Sequence, residues 1–373
     1  MNDMLKIASK TPSGLRYYSG TEAHLRRAVI DAVIEVFDGW SYDEIITPSI
    51  DYYSLFEDGM GHDEAAHAFR FTDTDGHLLT LRPDVTSSVA RAAATLMSNH
   101  ERPLRLSYAA NVFRQRSYSR TEWRRESLQL GCELIGLPGP KGDMEVLAIA
   151  VEVLERLGLQ GNFRITLNNV EIFNGLVEQL GLDAIAADQL RRLISTRDRA
   201  GLELFLSQHA PSFPEHGLLS RHTQFSDKRK TLAEAQRVMT NRRSLLALDS
   251  LEWLRNMIDL LGLSESFEID FGDLSRLDYY TGLTFKIYVA GMGVLVGSGG
   301  RYDELTANFG LPEPSVGFVL DLDSLVKALT LKNGAFREML HRNPLRVEAN
   351  NLAALFSEAR QRRSNGERIQ IGS

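Results

Sequence analysis

One predicted strand carries a polar face on which ligand chemistry could take place. Ser127–Ile135 alternates between apolar residues on one side and Gln129, Gly131 and Glu133 on the other. A strand whose second face is apolar is half buried. A glycine between an amide and an acid on the other face leaves the strand backbone open to close approach by a ligand. From this strand alone, a solvated sheet face is an equally good interpretation.

Other runs in the sequence have both a structural and a ligand-binding interpretation. Asp84 and Thr86 place a carboxylate and a hydroxyl at a strand-to-helix junction, where capping of the following helix is the simpler explanation. The glycines within Val296–Asp303 suit close approach of the backbone to a ligand but also a simple turn, and the run lacks the Lys-Ser/Thr ending of a phosphate-binding loop. Leu277–Tyr280 could line a pocket, although packing in a core explains this run alone better.

The periodicity of the surrounding chain predicts the elements that must position these residues. Apolar residues at helical spacing predict a helix over Thr21–Phe37, and Asp143 is the predicted acidic N-cap of a helix that ends at Leu157. The remaining elements predicted around the polar residues are strands Glu44–Thr47, His77–Arg82, Leu104–Tyr108, Asn111–Gln115, Phe267–Phe271, Gly282–Val289 and Val294–Gly297, and helices Thr86–Met97 and one beginning near Asp321.

The predicted secondary structure changes part-way along the chain. From about residue 169 to 263 helical patterns follow one another with almost no strand signal, and strands resume afterwards. This order predicts an α+β fold, an antiparallel sheet flanked by helices and interrupted by a helical insertion. Residues 1–332 form the predicted domain. Residues 333–373 are polar and weakly periodic, which predicts a mobile C-terminal tail without a βαβ pattern.

Bulk composition sets limits on the class of protein. The 373 residues are 43% hydrophobic and 24% charged, which is ordinary for a globular protein with a sizeable core. A formal net charge of −7 disfavours a nucleic-acid partner, because phosphate neutralisation needs a basic face. Cys132 is the single cysteine, so no internal disulfide is possible. We find neither a signal peptide, a membrane span nor a metal-ligand cluster, and expect a cytoplasmic protein.

The ordered motifs of the chain resemble those of class II aminoacyl-tRNA synthetases, and of histidyl-tRNA synthetase in particular. Leu79–Thr86 resembles the LTLRPEGT motif of that family, and Leu277–Tyr280 resembles its histidine-specific RGLDYY signature. The match spans roughly residues 14–330, and its other parts are Gly14–Phe56 (motif 1, which forms the dimer interface in that family), Val112–Arg114 with Leu128–Glu133 (motif 2), and Gly299–Asp303 with Val316–Phe318 (the approach to motif 3).

The resemblance implies a pocket for free histidine. Ammonium groups need carboxylate and hydroxyl acceptors, imidazole N–H groups need a carboxylate or phenol, and carboxylates need a guanidinium. Asp84 is one methylene shorter than the glutamate usual in the family. By resemblance, Asp84, Thr86 and Gln129 hold the α-amino group, Glu133, Tyr280 and Tyr302 surround the imidazole with Tyr279 beside them, and Arg114 contacts the carboxylate and the α-phosphate.

Departures from the synthetase pattern indicate that ATP is not activated. Ser275 stands where the family has its catalytic arginine, and Arg276 where it has glycine. Arg116 replaces the carboxylate that reads adenine, Ser127 the aromatic that stacks on it, and Ser324 the motif 3 arginine that holds the phosphates. Loss of one preorganised contact to developing charge costs about 10²–10³ in rate, so we expect adenylation to be crippled. Ser275 also removes a contact to the ligand carboxylate.

This combination resembles the regulatory subunits of ATP phosphoribosyltransferase, the synthetase paralogues that partner the short-form catalytic subunit. The resemblance implies a non-catalytic subunit without cofactor or metal, acting in the first step of histidine biosynthesis. It also implies a hetero-oligomer, commonly four of each subunit, a self-dimer, and feedback inhibition by histidine. Only residues 333–373 follow the matched region, too few for the anticodon-binding domain of a synthetase. Histidine could bind in this pocket, at a subunit interface or on the partner.

Two other functions are alternatives. One is a divergent histidyl-tRNA synthetase, which histidine-dependent pyrophosphate exchange would reveal. The other is a synthetase-like RNA-binding or signalling module. The basic stretches Arg120–Arg125 and Arg221–Lys230 give it local support, although such stretches are more often solvated faces.

Overall fold

The computed structural model describes residues 10–115, 124–209, 230–274, 279–291, 295–332, 345–347 and 351–371. Its strands are β1 Asp43–Glu44, β2 Ile50–Tyr52, β3 Phe69–Thr72, β4 Leu78–Leu81, β5 Leu104–Phe113, β6 Glu126–Ile135, β7 Phe163–Asn169, β8 Phe267–Ile269, β9 Leu283–Val289, β10 Leu295–Arg301, β11 Ser315–Asp321, β12 Leu345–Val347 and β13 Ile369–Ile371. Its helices are α1 Gly20–Gly39, α2 Tyr53–Met60, α3 His62–Ala65, α4 Thr86–Ala94, α5 Pro140–Arg156, α6 Val170–Leu180, α7 Ala184–Ser195, α8 Arg199–His209, α9 Lys230–Val238, α10 Arg242–Leu260, α11 Leu322–Lys332 and α12 Leu352–Ser364, with 3₁₀ turns at Ser264–Ser266 and Leu305–Phe309.

An eight-stranded sheet organises the molecule, in the order β1-β5-β6-β11-β10-β9-β7-β8. Neighbours from β5 to β7 are antiparallel, and the short strands at the two edges, β1 and β8, pair in parallel. The predicted α+β class with an antiparallel sheet is therefore confirmed. A second, three-stranded antiparallel sheet has the order β2-β4-β3.

The two faces of the large sheet have different neighbours. On one face the apolar side chains of β6, β9 and β11, including Leu130, Leu134 and Phe318, form the main core with helices α1, α5, α10 and α11. On the opposite face α4 covers β5, with Val85 and Val89 packed on Leu106 and Tyr108. The predicted alternation of β6 is observed, because its apolar side chains enter the helical layer and its polar ones face the other way.

Helices fill the described part of the interval between β7 and β8. Asn169 caps α6 with its side chain, which accepts from the N–H of Glu171, and Gly181 ends the helix in the left-handed region at φ 64°. Helices α6 to α10 follow between residues 170 and 260, where the sequence predicts a helical insertion.

Some predicted elements are wrong in detail. The predicted strands Leu104–Tyr108 and Asn111–Gln115 are one strand, β5, whose middle pairs with β6 without a break. The predicted acidic N-cap is also wrong, because α5 begins at Pro140 after Gly139. Asp143 lies in the first turn of that helix, where it is buried and forms an ion pair with Arg301.

The prediction that the C-terminal segment lacks a βαβ pattern is also wrong. Strands β12 and β13 pair in parallel, and helix α12 connects them, so residues 345–371 contain a βαβ unit. Leu355 and Ala359 of α12 and Val347 of β12 are buried. Short strands of three residues give too little alternation for the sequence to reveal them.

A candidate ligand-binding pocket

A cavity of about 450 Å³ opens on the face of the large sheet that the helices of the main core do not cover. Its volume is in the range of small-molecule sites. All eight residues predicted for the pocket lie in its wall, namely Asp84, Thr86, Arg114, Gln129, Glu133, Tyr279, Tyr280 and Tyr302. Residues up to 218 positions apart are therefore brought to one site, as 302 minus 84 shows.

Glu133 is the most buried acid of the site, with 1% of its surface exposed. Three hydroxyl groups donate to its carboxylate, from Thr86 at 2.8 Å, Tyr108 at 3.2 Å and Tyr302. Burial raises the pKa of Glu133 to about 8, although hydrogen bonds from Tyr302 and Thr86 oppose the shift. The ligand-free pocket thus holds a carboxyl group that is poised to ionise near neutral pH.

Glycines on neighbouring strands make room for Glu133 and for the ring of Tyr108. A Cβ on Gly317, which lies opposite Glu133 in the register of β11 and β6, would be 1.8 Å from a carboxylate oxygen of Glu133. A Cβ on Gly131 would be 2.4 Å from the hydroxyl of Tyr108. The glycine at 131 therefore leaves the space that the sequence pattern suggested, but a tyrosine side chain occupies part of it.

A wall of tyrosines faces this carboxylate. The ring centroids of Tyr279 and Tyr280 are 4.8 Å apart, and those of Tyr279 and Tyr302 are 5.8 Å apart with the rings nearly perpendicular. Gly300 allows Tyr280 to lie against the backbone of β10, because a Cβ there would be 2.7 Å from the ring. Flat aromatic surfaces beside a buried acid suit a planar ligand with an N–H group.

Asp84 both stabilises the start of α4 and lines the cavity. One of its oxygens accepts hydrogen bonds from the backbone N–H of Ser87 at 3.1 Å and from the Ser87 hydroxyl at 2.9 Å, within the first turn of α4. The same residue lines the cavity. Capping and ligand contact are compatible, because a carboxylate has two oxygens and about four lone-pair sites.

Gln129 and Arg114 lie on another part of the wall. The Oε1 atom of Gln129 is buried and has no hydrogen-bond partner among the described residues. Such an acceptor is costly to bury, which points to a donor supplied by a ligand or a water. The Nε of Arg114 donates to the carbonyl of Pro83 at 2.9 Å, which fixes the guanidinium beside the Asp84 segment.

Two of the departures from the synthetase pattern, Ser127 and Ser324, lie within the described residues, and they differ in their relation to the cavity. Ser127 lines the cavity. Ser324 lies in the first turn of α11, where its N–H donates to Asp321 at 2.7 Å, and it does not line the cavity. Arg116, Ser275 and Arg276 lie outside the described residues, as do Leu277 and Asp278 of the signature.

A polar group that the sequence did not predict lies at the far side of the cavity. Thr166, Asn168, Asp273 and Lys286 line it there, and Asp321 lines it near Gln129. These residues belong to β7, β9, β11 and the segment after β8. In β9, Lys286 lies between the buried residues Phe285 and Ile287. A lysine between two apolar residues of a strand faces the other side of the sheet, and this was the signal that the sequence offered.

Carboxylic acids outnumber cations in the wall of the cavity. Among the described lining residues, five are carboxylic acids, Glu64, Asp84, Glu133, Asp273 and Asp321, whereas two are cations, Arg114 and Lys286. The acceptors suit a ligand that brings an ammonium or an imidazolium group, and two cations are few for a polyphosphate. Among the described residues, no group of three or more His, Cys, Asp or Glu side chains could hold a metal ion.

The chain is similar in sequence to proteins of a known family. A sequence profile described as histidyl-tRNA synthetase matches residues 14–325. Similar curated proteins include an ATP phosphoribosyltransferase regulatory subunit from Geobacter sulfurreducens, 34% identical over 88% of this chain and 75% of the relative. Another relative of that name, from Moorella thermoacetica, is 33% identical over 96% of this chain and 91% of its own. The chain belongs to the family of ATP phosphoribosyltransferase regulatory subunits.

Solved structures support the same family and fold. The crystal structure of an ATP phosphoribosyltransferase regulatory subunit/histidyl-tRNA synthetase from Bacillus halodurans has a TM-score of 0.86 and 29% identity, covering 97% of this chain and 92% of that one. Histidyl-tRNA synthetase from Nostoc shares the fold, with a TM-score of 0.79 at 20% identity and coverage of 98% and 86%. Membership of a family of regulatory subunits supports a non-catalytic role. No described helix is long and apolar enough to cross a membrane.

The raised pKa of Glu133 predicts how stability depends on pH. Because the pKa in the folded state lies above the ordinary value of 4.5, the folded chain holds a proton that the unfolded chain releases between about pH 4.5 and 8. The free energy of unfolding of the ligand-free protein should therefore fall across this window, and Glu133→Gln should remove that contribution. Urea unfolding of both proteins at about pH 5 and pH 8 measures the difference. If the free energies of unfolding of the two proteins differ by the same amount at both pH values, the raised pKa of Glu133 is contradicted.

Proposed function

We propose that this chain is a histidine-sensing, non-catalytic regulatory subunit that binds free L-histidine in the cavity described above. The charge balance of the cavity carries this proposal. Glu133 and the tyrosine wall suit an imidazole, and the acceptors of Asp84, Thr86 and Gln129 suit an α-amino group. Two cations against five carboxylic acids do not suit the triphosphate of ATP.

In this proposal the partner is the short-form ATP phosphoribosyltransferase catalytic subunit, with four of each subunit in the complex. The names of the relatives support a catalytic partner. The phosphoribosyl chemistry, in the first step of histidine biosynthesis, belongs to that partner in the cytoplasm. This chain activates it and conveys feedback inhibition, which requires a coupling free energy of typically about 1–3 kcal/mol between the two sites.

Partner activity measured against histidine concentration, with and without this chain, tests the proposal. We expect activation when the chain is added, and inhibition by histidine that depends on the chain. Inhibition that is the same in its absence would remove the sensing role. Histidine-dependent pyrophosphate exchange by this chain alone would instead favour the synthetase alternative, and salt-dependent tRNA binding would favour the RNA-binding one.

We also propose that residues 1–332 form the synthetase-like body, with the interval 169–263 as its helical insertion, and that two such bodies associate. The small sheet supports self-association. Because residues on one face of a sheet alternate along each strand, Ile50 and Tyr52 share a face with Phe71 and its neighbours on β4. Ile50, Tyr52 and Phe71 are each at least 40% exposed in the single chain. An apolar sheet face of this kind is typical of an interface.

Charge placed on this face should disrupt the proposed dimer. Phe71→Glu is expected to convert the wild-type dimer into monomer, because burying the carboxylate in an apolar interface is costly. Sedimentation at several protein concentrations measures the mass. Leu204→Glu, at an exposed leucine of α8, is the matched control and should leave the mass unchanged. A dimeric Phe71→Glu protein would place the interface elsewhere.

A further inference from the structure

Lys286 is a cation of the cavity wall on the side opposite Arg114. It lies on β9, opposite Ser298 of β10 and Thr166 of β7 in the register of the sheet. All three residues line the cavity, on the side away from β5 and β6. The lysine therefore presents its side chain to the same space that Glu133 faces.

The head group of Lys286 is held in place by Asp273, with which it forms an ion pair. Asp273 is fixed in turn, because Thr166 donates to its second oxygen at 2.7 Å and Tyr288 donates to the same oxygen at 3.4 Å. Asp273 is the one acceptor that the described residues give to the Lys286 ammonium. An ammonium has three N–H donors, so two remain for a ligand.

The cavity has few cations to meet an anionic ligand group. Among the described lining residues these are Arg114 and Lys286. Arg114 follows directly after β5 and donates from Nε to Pro83, whereas Lys286 lies four strands away in the order β5-β6-β11-β10-β9. The two cations are thus on opposite sides of the site. An α-amino acid in the cavity brings a carboxylate that needs one of them.

We propose that Lys286 binds the carboxylate of the amino-acid ligand and that Asp273 is its positioning residue; this rests on the proposed function of the cavity as a histidine site. The sequence has Ser275 at the position where histidyl-tRNA synthetases, which it resembles, have an arginine that binds this carboxylate. Glu133 on β6 and Lys286 on β9 are three strands apart, about 14 Å across the sheet. Their side chains shorten that gap from both ends, so one ligand contacts an acid at its imidazole and a lysine at its carboxylate.

Calorimetric titration with histidine and with histamine, which lacks the carboxylate, tests the proposal. Wild-type protein should bind histidine about 10- to 100-fold more tightly than histamine, the ratio that a charged hydrogen bond supplies. Lys286→Met should lose this preference by weakening histidine binding alone. Lys286→Arg should keep the preference, and Lys141→Met, at an exposed lysine of α5, should behave as wild type.

The outcomes separate this proposal from the proposed function. If Lys286→Met still prefers histidine over histamine to the wild-type degree, Lys286 does not bind the carboxylate, although the cavity still binds histidine. If Lys286→Met binds neither compound, Lys286→Arg decides, and loss of the preference there overturns the proposal. A wild-type protein that binds neither histidine nor histamine contradicts the histidine site itself.

Discussion

Glu133→Gln is expected to lower the affinity for histidine by about 30-fold or more, because removing one partner of a buried charged interaction costs about 2–5 kcal/mol. Glutamine has nearly the same shape as glutamate. Its carbonyl can accept from Thr86 and Tyr108, which donate to one oxygen of Glu133, and its amide can donate to the hydroxyl of Tyr302 at the other position. It lacks the charge that an imidazolium, or a polarised imidazole N–H, would meet. Isothermal titration at about pH 7.5 measures the loss.

The folded structure should survive this substitution. Burial raises the pKa of Glu133 to about 8, so the ligand-free pocket already holds the neutral acid at pH 7, and a neutral amide resembles it. Glu155→Gln, at an exposed position of α5, is the matched control and should bind histidine as the wild type does. If Glu133→Gln retains wild-type affinity, the imidazole does not lie against this carboxylate.

Arg301→Met is expected to destabilise the chain by about 3–5 kcal/mol, the usual cost of leaving one partner of a buried ion pair alone. Arg301 and Asp143 are 7% and 3% exposed. The guanidinium donates to Asp143 at 2.9 and 2.6 Å, to the carbonyl of Gly139 at 2.9 Å and to Asp303 at 3.0 Å. It thereby joins the start of α5 to the end of β10, directly before Tyr302.

Urea unfolding of Arg301→Met measures this cost, and a second substitution tests its origin. In the double variant Arg301→Met/Asp143→Leu no buried charge of the pair remains, so it should recover part of the lost stability. Arg192→Met removes an exposed helical ion pair with Asp188 and should cost at most about 1 kcal/mol. A similarly small effect for Arg301→Met would show that the buried pair contributes little.

Much of the site could be predicted before its geometry was known. Alternation along β6 separated Leu130 and Leu134 from Gln129 and Glu133, and the helical layer covers the apolar set. The ordered motifs then implied which residues face the same ligand, and all eight of them line one cavity. Their roles toward histidine stay predictions that the binding experiments test.

Local patterns failed where a distant partner decides the outcome. Asp143 has the residue type of a helix cap, but it lies in the first turn of α5 and pairs with Arg301, 158 residues away. The middle of β5 was missed because Tyr108 and Ala110 are both buried beside partly buried Ala109, so polar and apolar residues do not alternate there. Strands β12 and β13, of three residues each, are too short for any periodicity.

The sequence by itself determined the class of fold, the family and the identity of the pocket's acid, amide and tyrosines, because these depend on residue types in a fixed order. Only the tertiary structure decided the charge of the site. Asp273, Lys286 and Asp321 come from separate strands and loops, and their convergence follows from the order β6-β11-β10-β9-β7, which no local pattern encodes. The environment of Glu133 was decided in the same way, since its pKa depends on burial beneath α4 and the tyrosine wall.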